Sequence, residues 1–271
     1  MPELPEVETS RRGITPYIEA QQLTQVAIRN PNLRWPVDIP QMESLVGQSL
    51  LHVGRRAKYL ILTFESGTAL LHLGMSGSLR IVSAETEISK HDHIDLSFAN
   101  GSVLRFNDPR RFGALVWAGQ EPEQHTLLAS LGPEPFAEEF NTDYCYKLSR
   151  NKKTSIKQFI MDGRVVVGVG NIYANESLFM AGIHPARAAG RISRKRYERL
   201  VSAIKTVIGE AINQGGTTLQ DFTQPDGKPG YFKQSLSVYG LAGEPCTKCE
   251  QILKEIRQNN RSTVFCSHCQ T

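Results

Sequence analysis

The chain has 271 residues, 40% hydrophobic and 21% charged. That composition excludes wholesale disorder and, at roughly 150 residues per domain, allows about two domains with substantial cores. Lys+Arg 31 and Asp+Glu 27 give a net +4, unevenly spread: residues 1–135 hold 12 basic and 15 acidic side chains, residues 136–271 hold 19 and 12, so the second half is the better surface for a polyanion. No apolar run approaches the ~20 residues of a membrane span, and the acidic opening Met1-Pro2-Glu3-Leu4-Pro5-Glu6-Val7-Glu8 has neither the basic nor the apolar region of a secretory signal. These features predict a soluble intracellular protein.

In chain order, residues 4–18 read as a helix, with Leu4, Val7, Ile14 and Ile18 on one face and Glu6 and Glu8 in the dipole-favoured first turn. Short apolar or alternating runs follow at 23–28, 50–55, 59–64, 68–73, 79–82, 93–98, 102–106 and 114–117. Gly, Asn, Ser and Pro punctuate them, which predicts a β-sandwich or a barrel. A boundary falls at 121–136, with Pro122, Pro133 and Pro135. The period then changes. Residues 141–160 and 171–181 read as helices. The clearest helix is 193–214, with Ser193 as its cap, a stripe of Tyr197, Leu200, Val201, Ile204, Ile208 and Ile212, and Gly215-Gly216 as its end. Residues 215–239 are rich in turn formers and read as a loop.

The last segment carries chemistry. Cys246-Thr-Lys-Cys249 and Cys266-Ser-His-Cys269 have the spacing of a structural zinc site. Four thiolates close a tetrahedral shell and leave no position for water, so one structural Zn2+ is expected and no catalytic metal. Residues 251–256 and 262–265 read as strands around the tip Gln258-Asn259-Asn260-Arg261, and His268 is read as a bystander. The fifth cysteine, Cys145, is left as a small packing residue.

Pro2 follows the initiator Met, which is commonly removed before a small residue. Removal leaves a secondary amine with a pKa of roughly 8, partly unprotonated at neutral pH. Such an amine attacking a sugar C1′ forms an iminium that acidifies the C2′ proton, with Glu3 beside it to move protons. Taken alone, a Pro-Glu start is more often a solvated end.

Six segments occur together and in order: Pro2-Glu3-Leu4-Pro5-Glu6-Val7-Glu8-Thr9, Arg56-Ala57-Lys58-Tyr59-Leu60, His72-Leu73-Gly74-Met75-Ser76-Gly77, Asp108-Pro109-Arg110-Arg111-Phe112-Gly113, Gly168-Val169-Gly170-Asn171-Ile172-Tyr173 and the four-cysteine finger. Over essentially its full length the chain resembles the bacterial formamidopyrimidine-DNA glycosylases (the MutM/Fpg group). The resemblance implies a multidomain α and β fold: an N-terminal catalytic β-sandwich with flanking helices (1–130), a helical helix–two-turn–helix DNA-binding domain (131–235) and a zinc finger (236–271). It implies a bifunctional DNA glycosylase and abasic-site lyase of base excision repair, acting as a monomer on double-stranded DNA containing oxidised purines, in the bacterial cytoplasm at the nucleoid.

By the same resemblance Pro2 is the Schiff-base nucleophile and Glu3 the adjacent acid. Lys58 is assigned to β-elimination and the fingertip Arg261 to phosphate grip and δ-elimination. His91, Arg110 and Lys152 fall on DNA-contact positions. Asn171 opens a helix after a Gly-rich turn, where its side chain and the nearby amides can hold a phosphate or serve as a plain N-cap. Met75, Arg110 and Phe112 lie on turn-prone segments where they can fill the hole left by an extruded base. The segment 216–232 (Thr217, Thr218, Gly227, Lys228, Gly230, Tyr231) resembles the loop that covers that base. Two rivals remain at this level: an endonuclease VIII-type glycosylase for oxidised pyrimidines, and a non-enzymatic zinc-ribbon DNA-binding protein.

Overall fold

The computed structural model describes residues 2–215 and 236–271. The chain splits into two compact units, 2–129 with 214–215, and 130–213 with 236–271.

The first unit opens with α1 (Leu4–Ile18), then β1 (Leu23–Ile28), α2 (Ile39–Glu43), β2 (Leu50–Arg56), β3 (Tyr59–Phe64), β4 (Gly67–His72), β5 (Ser78–Val82), β6 (Asp92–Phe98), β7 (Val103–Asn107) and β8 (Ala114–Gly119). The strands form two antiparallel four-stranded sheets, ordered β1-β6-β7-β5 and β2-β3-β4-β8. Two separate sheets decide for the sandwich over the barrel. In β3 burial alternates, with Leu60, Leu62 and Phe64 turned inward. They join Leu71 from their own sheet, Ile94, Leu104 and Phe106 from the other, and Val7, Ile14 and Ile18 of α1 in one core. Helix α2 is an addition to the expected elements. At five residues, with Asp38 as its cap and Pro40 in its first turn, it is too short to show a helical period.

Two crossovers between the sheets leave from matched strand ends. Ser78 pairs with Asn107 in one sheet, and His72 pairs with Ala114 in the other. The segments 73–77 and 108–113 therefore run side by side from one sheet to the other.

The second unit contains α3 (Thr142–Ser149), α4 (Ile156–Met161), α5 (Asn171–Ala181), α6 (Arg194–Asn213) and the hairpin β9 (Lys254–Gln258) and β10 (Arg261–Phe265). The single helix expected over 141–160 is two helices. Arg150 turns extended, Asn151 takes φ 62°, and Ser155 caps α4 through its Oγ, which accepts from the Gln158 N–H at 3.3 Å. Between them the carbonyls of Lys152 and Thr154 accept from the Gly190 and Ala189 N–H groups, at 3.0 and 2.9 Å, a use incompatible with a continuous helix. In helix α6 Tyr197, Leu200, Val201, Ile204 and Ile208 of the expected stripe are buried and Ile212 is half-buried, and Ser193 Oγ accepts from Arg196 N–H at 3.4 Å. Helix α5 is buried on nearly every side. Cys145 is buried, and burial pushes its thiol up to about 12, the behaviour of a packing residue. Among the described residues no helix is long and apolar enough to cross a membrane.

Candidate functional site

Pro2 and Glu3 stand at the start of α1. Glu3 is the N-cap, and its backbone N–H donates to the Glu6 carboxylate at 2.8 Å in a capping box. Glu3 is only 1% exposed. One turn on, Glu8 receives Arg11 at 2.8 Å, Arg12 at 2.8 Å and Arg55 of β2 at 3.1 Å. Burial would raise the Glu8 carboxyl, but the hydrogen bonds from Arg11 and Arg12 and the charges of Arg11 and Arg55 overcome it and hold it down at about 2.

Lys58 sits on the two-residue β2–β3 turn. Its neighbour Ala57 takes φ 55°, a left-handed backbone that disfavours a Cβ, and the Ala57 carbonyl accepts from the Arg55 guanidinium at 2.8 Å. Arg55 thus links the α1 carboxylate Glu8 to the turn that presents Lys58. At the end of β4, His72 packs against the Tyr59 ring with centroids 4.8 Å apart, and its Nδ1 accepts from the Gly74 N–H at 2.9 Å. Burial, then the charges of Lys58 and Arg34, push this imidazole down to about 4, so it is neutral at physiological pH.

Met75 lies in crossover 73–77, while Arg110 and Phe112 lie in crossover 108–113. Phe112 is 45% exposed, and the Arg110 guanidinium stands 5.3 Å from its ring centroid. The two segments touch at Gly74 (φ +66°), where a Cβ would meet Gly113 N and Phe112 C at 2.4 Å; only glycine permits this approach. Asp108 is fully buried. Its Oδ1 accepts from Ser76 Oγ–H at 2.9 Å and its Oδ2 from Gly113 N–H at 2.7 Å, while its backbone N–H donates to the His91 carbonyl at 3.0 Å. One residue therefore joins the segments carrying Met75, His91, Arg110 and Phe112. His91 itself packs edge-on to His93. The 83–91 loop before it is tied down by Arg105, whose Nη1 donates to the Thr86 and Glu87 carbonyls at 3.1 and 3.0 Å.

In the second unit Lys152 is exposed on the α3–α4 connection rather than on a helix face. Asn171 is the first residue of α5, with Gly170 as the cap, so Asn171 is not itself the N-cap. Its Nδ2 donates to the Ser262 carbonyl at 3.1 Å, which seats β10, and Arg261 beside it, on the helix end. Asn175 Oδ1 accepts from Val264 N–H at 2.9 Å. The Glu176 carboxylate collects the N–H groups of Ser237, Val238 and Tyr239 at 2.8, 3.0 and 2.8 Å. Arg261 is exposed at the mouth of a two-residue turn whose Asn259 and Asn260 both have positive φ, 47° and 59°, the twist-matched geometry of a tight hairpin. Strand β9 begins at Lys254, later than expected, because Gln251 is occupied by the knuckle: its carbonyl accepts from Cys246 N–H at 2.8 Å.

The sulfurs of Cys246, Cys249, Cys266 and Cys269 lie within 4.8 Å of one another, with Cys246–Cys269 at 4.0 Å and Cys249–Cys266 at 3.5 Å. Zn–S bonds of about 2.3 Å in a tetrahedron place sulfurs about 3.8 Å apart, so the set fits one ion. Backbone N–H groups of Lys248 and Cys269 point at Cys246 and Cys266 sulfurs, both at 3.4 Å. His268 is exposed and outside the cluster.

Glu8, His72, Ser76 and Asp108 stand within the quoted segments with no site role assigned to them, and Asn175 and Glu176 stand outside those segments; the partners that the fold gives these residues make them conspicuous. Thr217, Thr218, Gly227, Lys228, Gly230 and Tyr231, expected on a base-covering loop, lie outside the described residues.

Three family models match the chain: the formamidopyrimidine-DNA glycosylase N-terminal domain over residues 1–115, its H2TH domain over 131–223, and the zinc finger found in FPG and IleRS over 243–271. With the sulfur geometry, the last match makes the four cysteines one structural zinc site. The formamidopyrimidine-DNA glycosylase of Marinobacter nauticus is 57% identical over 270 residues, covering 100% of both chains. The crystal structure of Thermus thermophilus MutM (Fpg) superposes with a TM-score of 0.89 at 37% identity, covering 99% of this chain and 98% of that one. Lactococcus lactis Fpg bound to DNA containing an abasic site gives 0.92 at 31% identity, covering 99% of each chain. The chain belongs to the formamidopyrimidine-DNA glycosylase family.

Proposed function

We propose that this enzyme excises oxidised purines, 8-oxoguanine and formamidopyrimidines, from duplex DNA and then cuts the resulting abasic site. The observation that carries the reading is the full-length family match with Pro2-Glu3 intact and Glu3 fixed as the cap of α1, which sets Pro2 immediately outside the helix. With the initiator Met removed, the Pro2 nitrogen attacks C1′. The C1′–N bond forms, the glycosidic bond breaks with its electron pair leaving on the base, and Glu3 assists opening of the sugar ring. The iminium accepts the electrons released when the C2′ proton departs. The 3′ C–O bond then breaks, and a second elimination breaks the 5′ C–O bond. Lys58 and Arg261 serve the phosphates and protons of these two steps. The zinc ion supplies no chemistry; it holds the hairpin that presents Arg261.

Met75, Arg110 and Phe112 take the place of the extruded nucleotide, and Arg110, with its fork of donors, meets the acceptors of a partner cytosine. His91, Lys152 and Asn171 hold backbone phosphates. The functional division is 1–130, 131–235 and 236–271. One chain supplies both nucleophile and finger, which supports action as a monomer, in the bacterial cytoplasm at the nucleoid.

Borohydride trapping tests the reading. Enzyme mixed with an 8-oxoguanine:cytosine duplex should form a covalent adduct, absent in Pro2→Gly and strongly reduced in Glu3→Gln. No adduct from the parent would leave only a DNA-binding role. Faster excision of thymine glycol than of 8-oxoguanine would favour the pyrimidine enzyme. Intact mass of an active preparation should lack the initiator Met.

A further inference from the structure

We infer that Ser76 and Asp108 are positioning residues that lock Met75, Arg110 and Phe112 into one preformed wedge. The inference rests on the reading of those three residues as occupants of the vacated base stack.

Unstacking a base step costs free energy, and a side chain on a yielding loop spends its contact energy ordering itself instead of holding the stack apart. Both wedge segments are short crossovers without regular secondary structure, the kind of segment that is ordinarily mobile. Here each is fastened to the other from within. Ser76 directly follows Met75; its hydroxyl donates to Asp108 Oδ1 at 2.9 Å and accepts from the backbone N–H of Arg110 at 3.3 Å. The second Asp108 oxygen takes the N–H of Gly113, next to Phe112, at 2.7 Å. The Asp108 carbonyl accepts from the Arg111 N–H at 3.2 Å and contacts His93 Nε2 at 2.8 Å. All three wedge side chains are thus one residue from a group bonded to the Ser76–Asp108 pair. The pair is buried, so water does not compete for these bonds. Two segments 34 positions apart therefore hold a fixed spacing before any DNA arrives.

The test separates stack filling from sugar chemistry. Ser76→Ala removes both hydrogen bonds of the Ser76 hydroxyl and should slow base release from an 8-oxoguanine:cytosine duplex about fivefold to tenfold. It should leave cleavage of an abasic site in single-stranded DNA, where no stack needs filling, within about twofold of the parent. Ser76→Thr, which keeps the hydroxyl, should restore most of the rate. In a Met75→Ala background, Ser76→Ala should slow base release less than it does in the parent, because part of its effect runs through Met75. Equal slowing on both substrates, or full additivity with Met75→Ala, overturns the inference. So does an unaffected Ser76→Ala beside an impaired Met75→Ala. A Met75→Ala enzyme at the parental duplex rate instead removes the wedge reading, and the inference with it. If Ser76→Ala does not fold, the near-isosteric but weaker donor of Ser76→Cys carries the same comparison.

Discussion

Lys157 and Thr263 lie 106 positions apart, yet the Lys157 ammonium donates to Thr263 Oγ1 at 2.7 Å and to the Ser262 carbonyl at 2.9 Å. Lys157 is 1% exposed on α4, and these bonds fasten the zinc hairpin to the helical layer just beside Arg261.

Lys157→Met keeps the stem of the side chain and removes the donor. It should lower stability by about 1–3 kcal/mol in urea unfolding and speed hydrogen exchange at Val264. Exchange confined to its parental rate would show that the hairpin docks without this lysine.

Cys249→Ser should lose zinc, measured by metal analysis, and with it the hairpin that carries Arg261. Damaged-duplex binding and strand cleavage should fall together. A metal-free protein that cuts at the parental rate would separate the finger from function.

Acid should weaken the first unit in two stages. His72 and Glu8 both titrate lower in the fold than in the unfolded chain, from 6.5 to about 4 and from 4.5 to about 2. The unfolded chain binds more protons within each range, so stability is full above the upper value and lost as pH falls to the lower one. Glu8→Gln should flatten the slope between about pH 4.5 and 2. It should also cost about 1–3 kcal/mol at neutral pH, because Arg11, Arg12 and Arg55 lose their partner. Urea titrations at stepped pH measure both effects.

Arg105 is 2% exposed, pairs with Asp95 at 2.9 Å and holds the loop before His91. Arg105→Ala takes one of two arginines from the buried Asp95, which keeps Arg29, and frees the Thr86 and Glu87 carbonyls, so it should cost about 1–3 kcal/mol. Arg105→Lys should rescue only part of it, since an ammonium cannot reproduce the fork to Asp95 and two carbonyls. Thermal melts of both variants decide.

DNA affinity should fall linearly on a log–log plot against salt. Arg261→Ala and Lys152→Ala should each reduce the slope by about one and weaken binding similarly for all sequences. An unchanged slope would place that cation away from phosphate.

The sequence by itself determined the elements whose signal is local: α1 and α5 at their full extents, the strand runs, the α6 stripe with Ser193, and the cysteine spacing. Side-chain period, caps and knuckles are written within a few neighbouring residues, so no fold is needed to read them. Only the tertiary structure decided the break between α3 and α4, where the carbonyls of 152 and 154 serve residues 189–190. It also decided the roles of Ser76, Asp108, Glu8, Lys157 and Glu176. A buried polar group must find a partner wherever the chain brings one, and those partners stand as much as 106 positions away, beyond any local pattern.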